Sequence, residues 1–203
     1  MIIIIDYGMG NLKSIYRKIE RENKDVKISA TPNDIILADK IILPGVGHFG
    51  SAINNIKSNN FWDAINEHVL VKNKPVLGIC LGMQLMAKSS EEGNVSGFGW
   101  FDAEVVKFEM ANKFAFKVPH TGWNSAIKQK KSSLLEGITD EESFYFVHSY
   151  HVKCNDSRDV LTTTNYSYEF VSAIERNNIF GVQFHPEKSH SQGQQLFKNF
   201  INL

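Results

Sequence analysis

The chain has 203 residues, 42% of them hydrophobic and 22% charged, and its 22 Lys and Arg balance 22 Asp and Glu. A net charge of zero lacks the electrostatic footprint of a nucleic-acid binder, and no apolar run approaches the roughly 20 residues that span a bilayer. Two cysteines, Cys80 and Cys154, make no disulfide framework, and no basic segment precedes Ile2, so the expectation is a cytoplasmic protein without a secretory signal.

The β-branched run Ile2–Ile5 predicts a first strand, stopped by Asp6, Gly8 and Gly10. Leu12, Ile15 and Ile19 then recur at helical spacing. Val26–Ser29 and Lys40–Leu43 read as further strands, the second ended by Pro44 and Gly45. Residues 61–71 are amphipathic, with Phe61, Ala64, Ile65 and His68 on one face. Val76–Ile79 is an apolar strand running into Cys80, and 81–89 read as a short helix. This alternation predicts an α/β fold, a mainly parallel sheet flanked by helices. The second half changes character. Segments 100–108, 123–127, 144–152, 160–165 and 170–175 are strand-like and predict added antiparallel β-structure. Residues 179–184 return to the core as a strand, and 190–203 close as a helix. No linker or repeat divides the chain, so 1–203 are expected to form a single domain.

The strongest local signal is Gly78-Ile79-Cys80-Leu81-Gly82. A buried strand ends, a helix begins, and a glycine stands two positions to either side of a cysteine. This is the nucleophile-elbow pattern with a thiol. The turn is so sharp that bulkier neighbours would clash, and a helix start beneath the sulfur favours the thiolate. The competing reading is a small buried cysteine, one of the commonest core residues.

A cysteine nucleophile needs a base. His185, in Phe184-His185-Pro186-Glu187, follows the last core strand and is expected at the carboxyl edge of the sheet, where sites form in open parallel sheets. Pro186 keeps the chain extended, so His185 and Glu187 can share a side and the carboxylate can orient the imidazole. Gly45-Val46-Gly47-His48-Phe49-Gly50 fits GxGxxG, but it follows the third strand. The next strand ends at Cys80, where a dinucleotide site would place its ribose-binding acid about 20 residues on. A loop whose N–H groups join that of Leu81 in an oxyanion hole fits better. His148 and His151, three apart in a strand-like segment, are expected on opposite faces. With no HExxH or CxxC, neither a metal site nor a cofactor is expected. Cys154 has no elbow context and reads as structural.

With Cys80, His185 and Glu187 in place, the sequence resembles the class I (triad) glutamine amidotransferases, and within them the glutaminase subunits of imidazole glycerol phosphate synthase. The resemblance runs nearly end to end. It is carried by Asp6-Tyr7-Gly8-Met9-Gly10-Asn11, by Pro44 to Phe49, and by Gly78 to Gln84. Further on come Ser90-Glu91-Glu92-Gly93, Pro119 to Asn124, Phe146 to Tyr150, and Gln183 to Ser189. It implies that Cys80 attacks the carboxamide of L-glutamine, that His185 moves the proton and that Glu187 orients His185. It places Val46, Gly47 and Leu81 in the oxyanion hole, and Gln84, Glu92, His148, Ser149 and Tyr150 around the substrate. Asn11, His120 and Trp123 match a face that docks a (β/α)8-barrel synthase (cyclase) subunit in a heterodimer, through which ammonia passes. A paralogous branch supplies ammonia for a nucleotide-linked sugar in surface-polysaccharide synthesis. Thr121, His151 and His190 look more like that branch. A non-catalytic subunit would not need the full set of Cys80, His185, Glu187, Gln84 and Glu92. A hydrolase of γ-glutamyl peptides would not need the partner-face motif.

Overall fold

Ile2, Ile3, Ile4 and Ile5 are all buried, and a strand hidden on both faces belongs inside a sheet that helices cover on each side. The structure, a computed structural model, describes residues 1–22, 25–110 and 116–203. Its first half alternates strand and helix: β1 (Ile2–Ile5), α1 (Leu12–Glu20), β2 (Val26–Ser29), α2 (Pro32–Leu37), β3 (Lys40–Leu43), α3 (Phe49–Ser58), α4 (Phe61–Asn66), β4 (Val76–Ile79) and α5 (Leu81–Gln84). Then come β5 (Ser89–Ser90), β6 (Val95–Ser96), β7 (Ala103–Lys107), β8 (His120–Ser125), β9 (Ile127–Lys128), β10 (Ser143–His148), β11 (Tyr150–Cys154), β12 (Val160–Tyr166) and β13 (Tyr168–Arg176). The chain closes with β14 (Ile179–Val182) and α6 (His190–Asn202). Among the described residues no helix is long and apolar enough to cross a membrane.

The strands β2, β1, β3, β4 and β14 lie side by side in that order and run parallel. The sheet continues through β13, β11 and β7 in antiparallel pairing. This is the expected parallel sheet with antiparallel additions. Alternate residues of β1 point to opposite faces. Ile3 and Ile5 join Phe49, Ile53, Phe61 and Ile65 in one apolar layer, while Ile2 and Ile4 join Ile15, Ile19, Leu196 and Phe197 in the other. On the separate ribbon of β8 and β10, His120 stands opposite His148. One register matters most for the site. Gly181 pairs with Gly78 and Val182 with Ile79, so Cys80 and Gln183 leave the sheet side by side.

Several elements differ from the sequence reading. The helices α2 and α3 are additions to it; the apolar face of α3, Phe49, Ile53 and Ile56, begins only where the glycine loop ends. The segment 61–71 is α-helical to Asn66 and then a π-turn over Glu67–Val71. The helix expected over 81–89 stops at Gln84, and Ser89 already belongs to β5. The strand expected at 123–127 starts at His120 instead. The single strand expected over 144–152 is two strands, broken at Ser149, one in the ribbon and one in the main sheet. That break corrects the placement of two histidines. The alternation rule holds only within one strand, and across the break both rings turn to Phe108, with centroids 5.2 Å away for His148 and 4.7 Å for His151.

Candidate active site

Cys80 has φ +54° and ψ −109°, a conformation that L-residues avoid and that surrounding structure must enforce. The neighbours allow nothing larger. A Cβ on Gly82 would stand 1.8 Å from the Leu43 carbonyl oxygen, and one on Gly78 would stand 2.7 Å from that of Gly82. Cys80 N–H donates to the Val182 carbonyl at 2.7 Å, which ties the elbow to β14. The helix that follows has only four residues, so the support expected from a helix dipole reduces to one turn of backbone N–H groups. The other thiol is unlike it. Burial, its largest influence, pushes Cys154 up to about 12, which leaves it inert.

His185 follows β14 at the same sheet edge. Its backbone N–H donates to the Tyr145 carbonyl at 2.8 Å, and its own carbonyl accepts from Ser189 Oγ at 2.6 Å. The ring Nδ1 lies 2.9 Å from Glu187 Oε1, with both side chains almost wholly buried. Nε2 is buried and makes no hydrogen bond of good geometry. Burial alone would lower the imidazolium, but the nearby Cys80 thiol and Glu187 outweigh it and raise the group. A thiol and an imidazole in this relation favour the thiolate–imidazolium pair.

A cleft of about 250 Å³ opens over Cys80. Val46, Gly47, Leu81, Gln84, Glu92, His148, Ser149 and Tyr150 all line it, together with Pro119 and Val147, which the sequence reading did not select. Gly47 has φ +123°, the left-handed side that glycine adopts without strain. One Glu92 oxygen accepts from Phe49 N–H at 2.7 Å, so this carboxylate anchors the start of α3 as well as facing the cleft. Gln183, which is wholly buried, places Nε2 3.6 Å from Cys80 Sγ. Its role was missed because a buried amide contact depends on which strands lie together, and no local motif encodes that.

The three residues matched to a partner face separate. Asn11 is half-buried at the start of α1. Trp123 is 47% exposed and stacks flat on His190 at 4.8 Å, which rules out core packing. His120 is only 2% exposed, its ring 4.0 Å from Tyr166 and 4.9 Å from Phe146, so it does not reach a docking surface directly. Three positions along one strand put His120 and Trp123 on opposite faces. His120 Nδ1 lies 3.1 Å from His148 Nε2, and burial lowers the two to about 4 and about 3, so both rings are neutral at neutral pH. Among the described residues no group of three or more His, Cys, Asp or Glu is arranged to hold a metal ion.

An elbow cysteine beside a His–Glu pair at the carboxyl edge of a parallel sheet defines a class of cysteine-dependent amide-processing proteins. The family model for class-I glutamine amidotransferase matches residues 3–203, and the chain belongs to that family. It is 49% identical to imidazole glycerol phosphate synthase subunit HisH 2 of Methanococcus maripaludis, over 99% of this chain and 98% of that one. It is 45% identical to the subunit HisH 2 of Pseudomonas aeruginosa, over the full length of both. Among solved structures, PurLQS from Thermotoga maritima superposes with TM-score 0.72 at 16% identity, covering 99% of this chain and 97% of that one. The glutaminase domain of CTPS from Trypanosoma brucei, solved with bound acivicin, gives 0.69 at 19%, covering 98% and 91%. These two likenesses are of fold.

Proposed function

We propose that the chain is a glutaminase subunit that converts L-glutamine to glutamate and ammonia through a cysteine thioester. It passes the ammonia to a partner synthase, as in imidazole glycerol phosphate synthase of histidine biosynthesis, in the cytoplasm. The observation that carries this is the convergence of Cys80, His185 and Glu187, from the ends of two parallel strands, at one small cleft.

In this reading the Cys80 thiol proton passes to His185 Nε2 and the sulfur attacks the carboxamide carbon. The oxygen takes the negative charge and is held by the N–H groups of Val46 and Leu81, with Gly47 letting the loop turn. The C–N bond breaks, His185 returns the proton to the leaving nitrogen, and ammonia departs from a thioester. Water, deprotonated by His185, then releases glutamate and restores the thiol. Glu187 keeps Nδ1 protonated, so Nε2 is the atom that moves protons. Gln84, Glu92, His148, Ser149 and Tyr150 hold the amino-acid end. A (β/α)8-barrel cyclase docks on the face that carries Asn11 and Trp123, with His120 supporting that face from beneath.

The test is direct. Cys80→Ala is expected to abolish glutamine hydrolysis and labelling by a glutamine-analogue electrophile. His185→Ala is nearly as severe, and Glu187→Gln costs less, because the orienting member of a triad is the most dispensable. Turnover that survives in Cys80→Ala refutes the reading. A second reading has its own observation. Methanococcus maripaludis has two chains of this subunit name, and the present chain is 49% identical to one and 43% to the other. In that reading the same chemistry feeds a nucleotide-linked sugar on a paralogous partner. Assaying the aminated product with each partner decides between them.

A further inference from the structure

The mechanism leaves Gln183 without a task, and its surroundings give it one. Gln183 is wholly buried just after β14, and its backbone N–H donates to the Ser172 carbonyl at 2.8 Å, so the side chain departs from a fixed point. Gln84 Nε2 donates to Gln183 Oε1 at 3.0 Å and to the Tyr150 carbonyl at 2.9 Å. That backbone carbonyl sets the polarity of the whole chain of contacts. It can only accept, so Gln84 must turn its NH2 toward it. Gln183 must then offer oxygen to Gln84, which leaves its own NH2 facing Cys80 Sγ at 3.6 Å. The usual ambiguity between amide oxygen and nitrogen disappears because one end is a group that cannot be reversed. The same carbonyl pairs with His148 Nδ1 at 2.8 Å and so fixes that tautomer as well.

We propose that Gln183 is a positioning residue for Cys80. Its carboxamide N–H donates to the sulfur, holds charge there once the proton has gone to His185, and aims the remaining lone pairs into the cleft. This rests on the reading of Cys80 as the nucleophile. An N–H bond to a thiolate is charge-assisted and stronger than the same bond to a thiol, so a fixed amide favours the anion. Cys80 is 7% exposed, and little water can reach the sulfur to do the same. Glu187 supports the imidazolium from one end and Gln183 supports the thiolate from the other. The second support is anchored on Gln84, a residue of the cleft wall. Filling the cleft therefore acts on the sulfur through two amides.

The test uses the full chain without substrate. Thiolate formation is followed against pH by ultraviolet absorbance and by the rate of alkylation with iodoacetamide. Gln183→Met keeps the length and removes the donor. Its profile is expected to move up by about one pH unit, a tenfold loss of thiolate below the midpoint, with kcat for glutamine falling and KM little changed. Gln183→Glu fills the same space with a carboxylate and is expected to move the profile further in the same direction, which loss of packing alone does not do. If Gln183→Met does not fold, Gln84→Met frees the Gln183 amide to turn, and a smaller upward shift is expected. A folded variant whose profile overlays that of the wild type overturns the proposal. The alkylation profile needs no glutamine, so a wild-type chain that alkylates normally yet never hydrolyses glutamine refutes the glutaminase reading alone.

Discussion

The two walls of the cleft are built on opposite principles. The wall of Cys80, His185, Glu187 and Gln183 stands on the carboxyl ends of β4 and β14, and each of these side chains is buried. The facing loop, 46–48, is exposed, with Val46 half open to solvent. Its two ends are clamped. Tyr7 OH donates to the Pro44 carbonyl at 2.6 Å, and Phe49 N–H donates to Glu92 at 2.7 Å. Between the clamps, Gly47 touches mainly the tip of Met9. Bond-making groups sit where geometry cannot drift, whereas the donor needed only when an oxyanion forms sits where the backbone can turn.

The same substitution on each wall tests this contrast. Gly82→Ala drives a Cβ into a backbone carbonyl at 1.8 Å, and neither strand can yield. The expected outcome is loss of the folded chain, beyond roughly 4 kcal/mol, seen as loss of the thermal transition. Gly47→Ala meets only a flexible methyl at 2.6 Å but carries a strained φ of +123°. It is expected to fold with a cost of roughly 1–2 kcal/mol while losing glutamine turnover. Should both variants fold equally well, the contrast between the walls fails.

The next effect is smaller and kinetic. A loop that presents its N–H only in one orientation leaves the lone chain short of one oxyanion donor, worth roughly 3–4 kcal/mol or about 10²–10³ in rate. The structure supplies a route by which docking could supply it. Met9 lies two residues before Asn11, and a Cβ on Gly47 would touch its methyl group. Gly10 is close enough to Pro44 that an added Cβ would stand 3.0 Å away. Pressure on Asp6–Asn11 is therefore felt by the loop. Glutamine turnover is expected to rise by two to three orders of magnitude when the partner synthase and its ligand are added, on the basis of that one donor. Equal turnover with and without them removes the loop from the activation.

The contrast also explains what was legible in the sequence. The elbow was, because five consecutive residues contain its whole steric logic: Gly78 and Gly82 make room and Cys80 takes the strain. His185 and Glu187 were legible for the same reason, standing two apart around a proline. The residues of the cleft wall, such as Gln84, Glu92 and Tyr150, came from resemblance and not from any chemistry visible in their spacing. The break at Ser149 could not be read, because it arises when one half of an apolar run is captured by β8 and the other by β7 and β13. From that break follow the shared burial of His148 and His151 and the position of the Tyr150 carbonyl, and hence the polarity of the Gln84–Gln183 pair.

The smallest expected effect on the lone chain separates the cleft from its surroundings. Trp123 lies on the exposed face of β8, held by the His190 ring and edge-on to Tyr145 at 5.9 Å. A buried aromatic truncated to alanine costs roughly 3–5 kcal/mol. Trp123 is 47% exposed, and Trp123→Ala is expected to cost less than about 1 kcal/mol in the lone chain, since surface positions away from special features usually change stability by about 0.5 kcal/mol or less and only the stacking on His190 is lost. Exposed tryptophans of this kind are the side chains that anchor interfaces, so the loss should instead appear in the complex, as weaker association and more glutamate formed per aminated product. Melting temperature and that product ratio, measured together, distinguish the two roles. A destabilised lone chain that still couples tightly to its partner would place Trp123 with the core and would leave Asn11 as the exposed part of the matched face still to be tested.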